Sequence, residues 1–384
     1  MVNSSGSNII VDPDGDLILL INQTKPKSTS CLSIPGAGAI AAATNDDSGS
    51  TDSEMTRSLE FETSEDDSTL VYNDRILVSS KHMSLASPVF KAMLQGGFRE
   101  GIELKTTGKV EVPLPDDDPA AMRILINIIH GRMNSVPLNI DLELFTQMAI
   151  LADKYQCTEV VRPFPSIWTN GLTTGWTTSS TSIACWLCIA WHFELDSEFL
   201  RATQLIQGEG TCSLEETISA RESNLPIPEL VVDKLESYRI EGIGKAVQVL
   251  KDTIYKYQQP VLQCTSRMLP GSCDRYGSQH SPMEYTNVNT YRNGCDSMVL
   301  GTLIKSAIAN NLYPLTEPPY TSWSLQSFTA KAQLLEASTL CGKVANIYVP
   351  PHTINVIDQL KKSIHSIVKP PLTLAVCKEL VKKT

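Results

Sequence analysis

Two groups of residues in this chain carry soft donor atoms at spacings that could grip a metal ion. Cys185-X-X-Cys188-X-X-X-His192 would place two thiols and an imidazole on one face of a helix. Every residue between them is apolar, however, and no fourth ligand stands nearby, so the spacing predicts buried thiols in a core helix. Cys264, Cys273, His280 and Cys295 form a looser set. Four such ligands suit structural zinc, but their gaps match no compact zinc module, and spacing alone leaves metal binding there open. The run Asp116-Asp117-Asp118 could attract magnesium. It also directly precedes Pro119, where acids stabilise a helix N-terminus without a metal, and that is the reading adopted. "PGAGAIAAA" (35–43) resembles a glycine-rich phosphate loop only superficially, because no strong strand leads into it. P-loop, G-X-S-X-G and H-E-X-X-H patterns are missing. The expectation is a chain with no catalytic residues, no cofactor and no assigned metal site, hence not an enzyme.

What, then, do these residues sit on? "GDLILLIN" (15–22) reads as a buried strand after an Asp-Pro-Asp-Gly turn. Residues 23–68 are rich in Ser, Thr, Gly, Ala and acids, a composition that cannot bury enough surface to order itself, and they are expected to form a disordered insertion. "STLVYNDRILVSS" predicts two short strands turning at Asn73-Asp74. "KHMSLASPVFKAML" changes to helical spacing, with Met83, Leu85, Val89, Phe90, Met93 and Leu94 on helical faces. Ser87-Pro88 supplies a cap and a first-turn proline for a second helix. "GGFREG" reads as a loop, and Val110 and Val112 alternate as on a strand. Helices are predicted over 119–131 and 141–157, the second with Leu144, Met148 and Leu151 on one face, and a short one from Thr158.

This order of blocks resembles the BTB/POZ domain. "GDLILL" resembles the family's opening strand, with Asp16 at its acidic position. "ILVSSKHMSLASPVFKAML" is similar to its strand and helical hairpin, and "VEVPLPDDDPAAMRILINIIHG" to its third strand and next helix. "ELFTQMAILADKYQC" resembles the helix that commonly ends A-D-K-Y. The phrasing is closest to fungal BTB proteins with a helical C-terminal region. Many animal members have a histidine before the lysine at the strand-to-helix junction, where this chain reads Val78-Ser79-Ser80-Lys81. The resemblance implies an α+β fold, a small sheet with helical hairpins over 14–168, and a protein-interaction role. Cullin-binding members carry a hydrophobic-X-Glu motif after the hairpin, and Phe98-Arg99-Glu100 satisfies it residue by residue. The resemblance therefore admits a cullin scaffold or a second copy of the chain as partner. It leaves two readings: a substrate adaptor for a cullin-RING ubiquitin ligase, or a non-catalytic scaffold or regulatory subunit with no ubiquitin link. The N-terminal helix that many family dimers exchange is expected to be absent.

The remainder reads as a helical region over 169–264, then a loop and a C-terminal helical region over 265–384. Within the first, NLPIPELVVDKLESYRIEGIGKAVQVLKDTIYKYQQ (224–259) starts after two prolines and places Val231, Leu235 and Tyr238, then Val247, Leu250, Ile254 and Tyr257, at spacings of three and four, with a kink or break possible at Gly242 and Gly244. The loop spans 265–294, and in the last segment Ile357, Leu360, Ile364 and Ile367 share a face. The net charge of −10 argues against nucleic acid as a partner. Most of it falls in 44–68, which holds nine acids and one arginine. The densest apolar run, 183–193, is too short to span a bilayer, and the opening residues predict no signal peptide. Cytoplasm or nucleus is the expected location, with other proteins as partners and no membrane contact.

Overall fold

The structure is a computed structural model that describes residues 7–21, 74–172, 176, 179–219, 221, 225–265, 285–340, 352–367 and 370–383. The expected insertion at 23–68, the first run of the expected hairpin, and Cys273 and His280 lie outside the described residues.

A tight turn sets the sheet. The amide of Gly15 donates to Asp12 O at 3.0 Å, and a Cβ there would lie 2.7 Å from Val78 O. Only glycine allows so close an approach. The turn separates β1 (Ser7–Ile10) from β2 (Leu17–Ile21), and β3 (Asp74–Val78) and β4 (Val110–Leu114) complete a mixed sheet ordered β1-β3-β2-β4. β2 runs antiparallel to β3, with Leu17 opposite Val78, and parallel to β4, with Leu17 opposite Val110. Alternation buries one face, made of Leu17, Leu19, Ile21, Ile76, Val78, Val110, Val112 and Leu114. Pro113 is tolerated because β4 is an edge strand. Two expectations are corrected. A further strand, β1, precedes the one expected at 15–22 and pairs parallel to β3. Asp74 is not a turn residue but the first of β3, opposite Ile21.

The strand-to-helix junction is held by three side chains. α1 (Ser80–Ala86) begins with orphan amides. Asp16 accepts from Ser80 N and from Ser80 Oγ, both at 2.7 Å. His130 Nε2 accepts from Ser79 N at 3.1 Å, while its Nδ1–H donates to Ile126 O at 2.9 Å. α2 (Pro88–Gln95) starts as expected: Ser87 Oγ accepts from Phe90 N at 3.1 Å and Pro88 takes the first helical position.

α3 (Arg99–Thr107), α4 (Pro119–Ile129), α5 (Leu142–Lys154), α6 (Thr158–Val161) and α7 (Pro165–Leu172) follow. α4 is buried on nearly every side, at Ala121, Met122, Ile124, Leu125, Ile126, Ile128 and Ile129. Asp118 caps it by accepting from Ala121 N at 2.8 Å. The neighbouring Asp117 is buried, accepts from Lys154 Nζ at 2.6 Å and from the Tyr155 hydroxyl, and so joins the start of α4 to the end of α5.

The chain continues through α8 (Ser180–His192), α9 (Asp196–Glu209), α10 (Leu214–Ser219), α11 (Glu229–Gln258), α12 (Tyr285–Ala309), α13 (Leu325–Gln333), α14 (His352–His365) and α15 (Leu374–Lys382). An aromatic seam welds α8 to the sheet-bearing half. The Phe145 ring lies 5.5 Å from Trp168, 6.3 Å from Trp186 and 5.7 Å from Phe193, and Trp176 stacks on Trp186 at 4.5 Å. One apolar core therefore runs from the sheet to Leu235 of α11, and Leu372, Leu374 and Cys377 return to it from the far end of the chain. A second core gathers Ile243 to Ile254 of α11 with α12, α13 and α14, including Ile357, Leu360 and Ile364. Between the two, the buried Arg239 pairs with Glu236 and donates to Pro319 O at 2.8 Å and Trp323 O at 3.3 Å.

No break occurs at Gly242 or Gly244, since α11 is one helix of 30 residues. A Cβ on Gly244 would stand 3.2 Å from Tyr320 Oη, so that glycine admits a close neighbour. α12 begins at Tyr285, inside the stretch expected to be a loop at 265–294.

Removing the Asp117 carboxylate by Asp117→Ala leaves the Tyr155 hydroxyl buried without its acceptor. The expected loss is about 2–3 kcal/mol, read from urea unfolding midpoints at constant slope. A loss within about 0.5 kcal/mol would show that the network carries no stability.

His130 supplies a pH dependence. Its pKa lies below the ordinary histidine value, chiefly through burial, with contributions from His82, whose ring is 5.1 Å away, and from Arg132. The Ile126 carbonyl and Asp12 oppose that shift. A folded pKa below the unfolded one gives stability that is complete above about 6.5 and is lost as pH falls toward the folded value. Between pH 7 and pH 5 the wild type should lose more stability in urea than His130→Gln; equal losses would exclude this histidine.

Candidate partner-binding surface

The thiols of α8 are structural. Cys185 and Cys188 are buried, and burial raises both pKa values, which keeps them as unreactive thiols. Arg221 Nη1 donates to Cys185 Sγ at 3.0 Å while its Nη2 reaches the Glu143 carboxylate at 2.8 Å. His192 turns elsewhere: its Nε2 lies 2.8 Å from Thr158 Oγ1, tying α8 to α6. Cys264 and Cys295 are also buried, and Asp296 accepts from Gln263 N at 2.7 Å and Cys264 N at 3.3 Å beside them. Among the described residues no group of three or more His, Cys, Asp or Glu side chains is placed to hold a metal ion.

The surface that stands out follows the hairpin. Here the expected loop is a helix: Phe98 occupies the N-cap position of α3, and Arg99 and Glu100 form its first turn. Phe98 is 61% exposed, and Ile102, one turn further along, is 57% exposed. Their backbones are joined by Ile102 N donating to Phe98 O at 3.1 Å, so the two apolar side chains share a face. Glu100 suits the positive end of the helix dipole. Leu85 lies on a helix as expected, α1, but on its open face, where it is 88% exposed.

Two glycines set this geometry. A Cβ on Gly96 would lie 2.3 Å from Ala92 O, and one on Gly101 would lie 2.8 Å from Leu94 O and 2.9 Å from Gly96 O. They let α3 abut the end of α2 and so aim Phe98 outward, whereas Gly97 meets nothing within 4 Å. In sequence these glycines read as a loop, and Ile102 carries no mark of its own. The signal was present in the four-residue spacing of Phe98 and Ile102.

Asp16, at the position the resemblance singles out, touches Ser80. Its place is beneath the start of the hairpin, not on the Phe98 surface.

Residues 59–166 match the BTB/POZ domain. The chain contains a BTB/POZ domain. No curated protein matches the chain. The match begins before β3, so β1 and β2 complete the BTB sheet from outside the matched residues. BTB domains are generally non-catalytic modules that bind other proteins and oligomerise, and this one makes the chain a protein–protein interaction module. No helix among the described residues is long and apolar enough to cross a membrane.

A pair of substitutions separates the two kinds of glycine in the BTB hairpin. Gly101→Ala forces a methyl group against backbone oxygens and should destabilise by about 1–3 kcal/mol. Gly97→Ala enters open space and should be neutral or slightly stabilising. Similar melting temperatures for the two variants would refute the packing account.

Proposed function

We propose that this chain is a non-enzymatic BTB adaptor whose Phe98-Arg99-Glu100 surface binds a cullin scaffold, with its helical C-terminal half available for a substrate. The observation that carries the reading is the outward Phe98 at the start of α3, with Ile102 beside it and Glu100 on the first turn. An exposed aromatic anchor next to a fixed charge is the usual make-up of an interface hot spot. Cys157, Cys185, Cys188, Cys212 and Cys377 are thiols outside any disulfide, which accords with a reducing compartment such as the cytoplasm or nucleus.

The test is a cullin pull-down paired with melting curves. Phe98→Ala with Glu100→Ala should leave the melting temperature unchanged, since surface truncations usually cost less than about 0.5 kcal/mol. The same pair should weaken cullin binding by about 2 kcal/mol or more, which is about thirtyfold. Unchanged affinity removes the contact. A wild-type chain that retains no cullin at all leaves the scaffold role, assembled through the BTB surface without a ubiquitin link.

A further inference from the structure

We infer that the junction of α9, α11 and α13 is a binding site for a small, mainly apolar ligand carrying one amide-like hydrogen-bonding group. A cavity of about 330 Å³ opens there, between the two apolar cores and away from the Phe98 surface. That volume falls within the range of small-molecule sites, which favour such boundaries between packed units. Leu325, Ile367 and Pro371 supply apolar wall, and Gln204, Gln207 and Tyr238 also line the cavity.

Two observations distinguish this space from a packing gap. The first is the pair of glycines facing it from different helices. Gly208 lies within α9 and Gly242 within α11, although glycine is the poorest helix former after proline. Neither is demanded by close packing. A Cβ on Gly208 would meet nothing within 4 Å, and one on Gly242 would make only ordinary contact, 3.5 Å from Leu325 Cδ2. Nor is either in a left-handed conformation, which would require glycine. Both therefore keep room in the same cavity.

The second observation is Gln207. Its Nε2 is shielded from solvent and has no hydrogen-bond partner. A covered, unpaired amide is costly in a native protein and asks for an explanation. Gln207 lines the cavity, and because the last side-chain torsion of glutamine is soft, its shielded amide can turn at little cost to bring the unpaired donor to a ligand there. A carbonyl or amide on a ligand would meet it, while the apolar wall takes the remainder of the molecule.

N-benzylacetamide is a suitable probe, since it joins an aromatic ring to one amide. Saturation-transfer NMR on the full chain should show binding in the millimolar range usual for a fragment of this size. Gly208→Leu, which fills the cavity, should weaken it at least tenfold. Gln207→Met, which keeps the length and removes the amide, should weaken it severalfold with the melting temperature unchanged or raised. No transfer to the wild type overturns the site, as does transfer undiminished by Gly208→Leu. Should that variant fail to fold, Gln207→Met decides: undiminished transfer there overturns amide recognition.

Discussion

The BTB half depends on a short polar chain through otherwise apolar packing. Ser87, fully buried between α1 and α2, donates from its hydroxyl to Tyr155 O at 2.6 Å while capping α2. Tyr155 carries the link onward: its ring stacks on Phe90 at 4.7 Å and its hydroxyl reaches Asp117 at the start of α4. Hairpin, central helix and α5 are thus fixed relative to one another by directional bonds, which apolar contact alone does not supply. Burial and the adjacent Asp117 raise the Tyr155 pKa, so the phenol remains a donor at any ordinary pH. Everything displayed on the hairpin inherits its position from these three residues.

Much of this was legible because it rests on local rules. Ser87-Pro88, Asp118-Pro119 and Asp141 mark helix starts, and each side chain caps its helix. The alternation of Val110 with Val112 marks a strand, and both side chains lie on the buried face of the sheet. α3 escaped notice because its sequence, REGIELKTT, is mostly polar and contains a glycine that reads as a breaker. That glycine answers to the carbonyls of Leu94 and Gly96, a contact visible only once two helices meet. β1 has four residues, too few for periodicity to register, and it joins the sheet through a parallel partner 67 positions away in register. Gly244 looked like a kink for the same reason Gly101 looked like a loop: its need lies in a neighbour, Tyr320, distant along the chain. The Phe98 motif was found by resemblance, but its helical setting and its companion Ile102 were not.

The aromatic seam gives the two halves a common frame. Phe145 belongs to α5 of the BTB domain, whereas Trp186 and Phe193 belong to the helices beyond it. Edge-to-face and stacked rings hold both distance and orientation. Arg201 adds a cation over Trp176 at 4.4 Å, extending the contact into α9. A partner seated on the hairpin would therefore stand at a set bearing to whatever the helical half carries.

α11 has a thermodynamic consequence of its own. Its first turns complete one core, its later turns complete the other, and Arg239 at the changeover is held by carbonyls from a third segment. If either core melts, the helix frays toward this arginine, and a buried guanidinium stripped of its partners is strongly unfavourable. The cores are accordingly coupled in unfolding, and damage deep in the C-terminal half is transmitted as lost cooperativity to helices that lie against the BTB domain.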